Sequence, residues 1–159
     1  MALITNLTKI VLDTSVVISY LMSDPKDKNN PSRKIIKWIE NGLVLLMCSA
    51  SIRKEYEEKI LEKTPLPNFQ RQESIKFLQI SLERGQYGRK YVNPPIIIPN
   101  DPRDNIFFDN PNCVFADYLI TLNTKHFINN NIQQDLVSLG SPLKILNPKE
   151  FVVCMPFNS

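Results

Sequence analysis

Histidine is almost missing from this chain, with His126 alone among 159 residues. The three cysteines, Cys48, Cys113 and Cys154, stand far apart beside apolar residues, and none belongs to a CxxC pair. A zinc site built from His and Cys is thereby excluded, and so is a disulfide framework; buried free thiols are the expectation for all three. Long hydrophobic runs are lacking too. No stretch approaches the roughly 18–20 apolar residues that cross a bilayer, and the start MALITNLTK has neither the basic beginning nor the apolar core of a secretory signal. A cytoplasmic protein with no membrane partner is expected. Internal repeats, low-complexity tracts and linker-like segments are missing as well. Residues 1–159 are therefore expected to form one domain, long enough to bury a core of its own.

What is present is ordinary in amount and uneven in placement. Hydrophobic residues at 43% and charged residues at 22% rule out a disordered or fibrous chain. The net charge of +3 divides unequally: residues 101–159 carry four Lys or Arg and six acids, leaving +5 on the first hundred. A basic half beside an acidic cluster is what a metal-dependent nuclease needs, although a solvated surface gives the same count and accounts for most of the lysines. With one histidine available, any catalytic metal must be held mainly by oxygen, which points to Mg²⁺ or Mn²⁺.

The pattern of elements alternates. Residues 9–12 form a β-branched strand ending in Asp13, after which Thr14 or Ser15 caps a helix to about Met22. Residues 23–31 are a polar loop. Ser32 then caps a helix carrying Ile35, Ile36, Trp38 and Ile39, stopped by Asn41 and Gly42. The apolar run 43–48 is too short for a helix and suits a strand buried on both faces. Ser49 or Ser51 caps a charged helix to about Leu61, ended by Pro65 and Pro67, and residues 68–84 repeat the helical period up to Gly85. Residues 87–95 read as an irregular connection, and 96–98 as a short strand. Asp101 and Pro102 open a helix that Pro111 ends; 117–122 is a strand, Thr124 caps a short helix, and 143–146 is a last strand before a helix opened by Asn147 and Pro148. Strands and helices in this order imply a parallel α/β sandwich.

In such sheets ligands bind outside the carboxyl ends of the strands, so residues bordering each strand carry the most information. Asp13 directly follows the first strand and can be a ligand or a helix cap; the pattern leaves both open. Glu55 sits one turn into the helix after the second strand, where it can point back over the same edge, whereas Glu57 and Glu58 read as solvated. Asp104 lies in the first turn of the helix after residues 96–99 and can lean toward the site, while Asp101 is placed to cap. Asp117 borders the strand 117–122 and can equally be a strand-entry residue. The hydroxyls of Thr14 and Ser15 can orient a ligand or simply cap, and His126 reads as a packing or surface residue.

Five stretches, VLDTSVVIS (11–19), SASIRKEY (49–56), DPRDNIFF (101–108), ADYLITLNTKHF (116–127) and ILNPKEF (145–151), resemble the PIN-domain family, in particular its toxin-like branch. They occur in the family's order and reach from one end of the chain to the other. The resemblance implies a three-layer α/β/α sandwich with a mainly parallel central sheet, and a metal-dependent endoribonuclease with Mg²⁺ or Mn²⁺ held by Asp13, Glu55 and Asp104. It also implies a toxin–antitoxin pair, an RNA substrate, an antitoxin partner and a homodimer through the helices near 33–60 and 68–84. Asp117 is a candidate catalytic and metal residue on the same ground. Where the family usually reads ADYLVTGD, this chain has Thr121-Leu122-Asn123, so Asn123 retains an oxygen for a metal but loses a negative charge. One alternative is a catalytically weakened module that binds RNA or protein. Another is a phosphotransferase with Asp13 as nucleophile, disfavoured because Ser15 stands where a second Asp is typical.

Overall fold

A computed structural model describes residues 6–96, 102–128 and 131–157. Five parallel strands, β1 (Thr8–Leu12), β2 (Val44–Cys48), β3 (Gln86–Tyr87), β4 (Tyr118–Ile120) and β5 (Lys144–Leu146), form one sheet in the order β3-β2-β1-β4-β5. The helices flanking it are α1 (Thr14–Met22), α2 (Pro31–Glu40), α3 (Ala50–Lys63), α4 (Arg71–Arg84), α5 (Pro111–Val114), α6 (Thr124–Ile128), α7 (Ile132–Ser138) and α8 (Pro148–Cys154). The expected parallel α/β sandwich is what the chain forms.

β1 lies at the centre because its residues suit burial on both faces: Ile10, Val11 and Leu12 are wholly buried. The chain first builds outward from β1 to β2 and β3, then returns to the other side of β1 with β4 and β5. The strand order therefore reverses between β1 and β4, and open α/β sheets place their ligand crevice at such a switch point, beyond the carboxyl ends of the strands. Leu12 pairs with Ile120 as the last register pair, and the Asp13 N–H continues the ladder to the Ile120 carbonyl at 2.9 Å.

α3 is tied to that edge from its buried side. Tyr56 is fully buried, donates its hydroxyl to the Leu12 carbonyl at 2.7 Å and meets Phe77 of α4 edge to face at 5.4 Å. Burial holds the Tyr56 phenol well above its ordinary pKa, so it stays a neutral donor. Its neighbour Glu55 is thereby set over the end of β1.

Several local expectations are corrected. The edge strand is Gln86–Tyr87, pairing with Met47 and Cys48, where an irregular connection was expected; two exposed residues carry no readable periodicity. Of the strand expected at 96–98, Ile96 is buried outside any strand and the rest lies outside the described residues, as does Asp101. The segment Pro102–Phe108 is a 3-10 helix rather than an α-helix. α2 starts at Pro31 with Asn30 as its cap, accepting from the Arg33 N–H at 3.1 Å, so Ser32 is a buried interior residue instead. Cys48 and Cys113 are buried, but Cys154 is exposed on the last turn of α8. α7 was not anticipated: it opens from Asn131 in the left-handed region and buries only Ile132 and Leu136. Among the described residues no helix is long and apolar enough to cross a membrane.

Candidate functional site

A cavity of about 910 Å³ opens at the carboxyl edge of the sheet, and Asp13, Glu55, Asp104 and Asn123 all line it. They come from the ends of β1 and β4, from α3 and from the 3-10 segment.

Asp13 occupies the N-cap position of α1, yet its side chain makes no capping bond. Its Oδ2 instead accepts from Ser15 Oγ at 2.8 Å and from Thr121 Oγ1 at 2.6 Å. Each hydroxyl is itself held by a backbone N–H: Leu122 donates to Ser15 Oγ at 3.1 Å, and Asn123 donates to Thr121 Oγ1 at 3.0 Å. A carboxylate only accepts, so both hydroxyl protons must point at Asp13, and the chain of donors polarises toward it. With 8% of its surface exposed, Asp13 keeps its place near the protein interior through these bonds.

Glu55 is half-buried, and its Oε2 accepts from Thr14 Oγ1 at 2.6 Å. Burial raises its carboxyl above the ordinary glutamate range; the Thr14 hydrogen bond opposes this, the charge of Asp13 adds to it, and Lys59 and Arg103 oppose it further. Asp104, on the 3-10 segment, has Oδ2 at 2.8 Å from His126 Nε2 on α6. Asn123 is exposed at the rim; its carbonyl accepts from the His126 N–H at 3.1 Å and so fixes the start of α6.

Asp117 is not with them. Its N–H donates to the Lys9 carbonyl at 2.8 Å and its Oδ2 accepts from the Lys9 N–H at 2.8 Å, which puts it at the amino end of β4, beside the start of β1. It lines a separate hollow with Lys9 and Lys144. β4 is only three residues long, but the residue entering a parallel strand and the one leaving it still lie on opposite edges of the sheet. The expected convergence of four acids is corrected to three, and Thr121, the residue that leaves β4, takes the place at the site. The same strand-end reasoning that singled out Asp13 applies to Thr121, so that signal was available. His126 and the α3 residues Lys59 and Lys63, one and two turns beyond Glu55, also line the cleft. Their signal was the four-residue spacing of Glu55, Lys59 and Lys63 along one helix face.

The donor atoms are all oxygen, on the hydroxyl-held carboxylates of Asp13 and Glu55, on Asp104 and on the Asn123 amide, which suits a hard divalent ion. Asp13 and Glu55 are close enough for the charge of one to raise the pKa of the other, a repulsion that a cation relieves. Among the described residues no set of three His, Cys, Asp or Glu side chains is assembled to hold an ion. Asp13 and Glu55 are the residues that could hold such an ion, with water completing its shell, the way Mg²⁺ is commonly held.

The profile of the family described as PIN domain matches residues 9–125 of the chain. No curated protein and no solved structure matches it significantly.

Proposed function

The chain belongs to the PIN-domain family, whose members are typically metal-dependent nucleases, and from that premise we propose that it is a Mg²⁺- or Mn²⁺-dependent endoribonuclease, the toxin half of a toxin–antitoxin pair. The observation that carries this reading is that Asp13, Glu55 and Asp104, from elements far apart in sequence, line one open cleft at the switch point of the sheet.

Asp13 and Glu55 would hold the ion, with Asp104 and Asn123 as further oxygen donors at the rim. A bound divalent ion neutralises charge on the scissile phosphate and lowers the pKa of a coordinated water. The protein's own part is to fix the donors. Ser15 and Thr121 lock the Asp13 carboxylate and Thr14 locks that of Glu55 by hydrogen bonds. Such outer hydrogen bonds typically contribute about 10- to 100-fold to metal affinity or activity. Glu55 and Lys59 also line a second hollow of about 420 Å³, which continues past Lys54 and Arg103. A strand can thus run past the acids on both sides without presenting an end, which favours internal cleavage.

The toxin role and an antitoxin partner rest on the five motifs. A homodimer is supported by exposed apolar residues on α3 and α4, Leu61, Ile75 and Leu82. A second reading, an RNA- or protein-binding module with weakened cleavage, is favoured by the lack of a preassembled three-acid set among the described residues. One experiment separates them: purified protein should cleave single-stranded RNA with Mg²⁺ or Mn²⁺, stop when chelator is added, and be inactive as Asp13→Asn. Metal-independent binding without cleavage would leave the second reading.

A further inference from the structure

The cleft is longer than the acids require. Beyond Asp13 and Glu55 it continues between α1 and α3, with Ser15, Ile18, Ser19 and Met22 on one wall and Glu55, Lys59 and Lys63 on the other. Both walls follow helical spacing. Residues 55, 59 and 63 are each four apart, which places successive side chains about 6 Å along the helix axis, a separation of the same order as that between neighbouring phosphates of an extended strand. The α1 wall presents Ile18 and Met22, apolar side chains packed against the core yet open to the cleft.

We propose that this α1–α3 groove is the binding track for single-stranded RNA on one side of the cut, with Lys59 and Lys63 holding two successive phosphates and Ile18 and Met22 receiving the bases. The proposal rests on the nuclease reading and names its substrate class. Charge complementarity is the first argument: the acids end where the lysines begin, so a polyanion meets cations along the groove and, at its active end, carboxylates tolerable only with a bound cation. The asymmetry of the walls is the second. Cations on one wall and apolar carbons on the other fit a strand whose bases are splayed to one side. A duplex keeps its bases stacked inside and would set charged backbone against Ile18 and Met22. Lys59 is paired with Glu62 at 3.2 Å in the free protein, an exposed pair that a phosphate can displace at little cost.

The test uses the full chain carrying Asp13→Asn, which binds without cutting, and a fluorescent single-stranded RNA of about ten nucleotides. Lys59→Gln and Lys63→Gln should each weaken binding several-fold and lower the slope of log affinity against log salt by about 0.7. Lys37→Gln, an equal charge change outside the groove, should alter neither. Glu62→Gln, which releases Lys59, should tighten binding. With Asp13 restored, Lys63→Gln should slow cleavage of the long RNA several-fold, whereas Lys37→Gln should leave it unchanged. An unchanged salt slope in both lysine variants, or equal loss in Lys37→Gln, overturns the track. A wild-type chain that never cleaves but shows these binding effects overturns the nuclease reading and leaves the track standing. Duplex RNA bound as tightly as single strands would overturn the single-strand assignment.

Discussion

Thr121 Oγ1 lies 2.6 Å from Asp13 Oδ2, joining residues 108 apart in sequence across the switch point of the sheet. Thr121 is wholly buried, so its hydroxyl has no route to water. Replacing it by valine keeps the shape and removes the donor. Thr121→Val should cost about 1–3 kcal/mol of stability by leaving a buried acceptor short of a partner. It should also lower cleavage about 10- to 100-fold, as loss of an outer-sphere orienting bond does. Urea unfolding and initial cleavage rates measure the two effects.

Asp117 and Asp104 should respond oppositely to loss of charge. Asp104→Asn alters an oxygen in the cleft and should reduce cleavage by at least tenfold. Asp117→Asn keeps an acceptor oxygen for the Lys9 N–H on the far edge, and should leave both cleavage and stability nearly unchanged. Side-by-side rate and unfolding measurements decide; equal loss of cleavage in both variants would restore Asp117 to the site.

The raised pKa of Glu55 makes a directional claim about pH. Its folded pKa lies above the ordinary glutamate value, chiefly through burial, so the stability it contributes is full below that ordinary value and is lost as pH rises through the folded pKa. Metal-free protein should therefore become less stable as pH rises through this window, and Glu55→Gln should flatten the dependence. Mn²⁺ needs the ionised carboxylate, so its affinity should increase over the same rise. Thermal unfolding across pH, with and without Mn²⁺, reads both.

Asn123 stands at the rim with its backbone already engaged by Thr121 and His126. Asn123→Asp adds a negative charge without disturbing those bonds. It should tighten Mn²⁺ binding several-fold in calorimetric titration and preserve or raise cleavage. Unchanged metal affinity would place residue 123 outside the ion's reach.

Leu61, Ile75 and Leu82 expose most of their side-chain surface, at 74%, 69% and 61%. Ile75 and Leu82 lie two turns apart on α4 and so share a face. Ile75→Glu with Leu82→Glu should convert a dimer to monomer in sedimentation at micromolar concentration while leaving the fold intact. A wild-type monomer at high micromolar concentration would remove the dimer.

What could be read in the sequence follows from which signals are local. The strand residues at 9–12 and 43–48 declare themselves through continuous apolar runs, and Asn147-Pro148 does so through capping chemistry that the structure completes with a reciprocal Glu150 bond. Asp13 and Glu55 were legible because strand ends are predictable. Asp117 was assigned to the site on the resemblance although it stands at the entry of its strand, and an entry residue lies on the edge of the sheet opposite the site. His126 joins the site only through a partner about 20 residues away, which no local pattern reveals, whereas Thr121 stands where its strand ends and could have been found by the reasoning that singled out Asp13. Gln86–Tyr87 is a strand by virtue of β2 alone.

The central position of β1 has a consequence in time. Its near neighbour β2 follows within about 40 residues, but its other neighbour β4 is more than a hundred residues away, and contacts of such separation form late. A chain growing from the ribosome can close the β1–β2 half early, with Asp13 and Glu55 already drawn together. It lacks the Thr121 donor and the Asp104 wall until some three-quarters of its length has been made. The cleft is therefore completed in two stages, the Asp13–Glu55 side with β2 and the Thr121 and Asp104 side only when the returning strand β4 docks against β1.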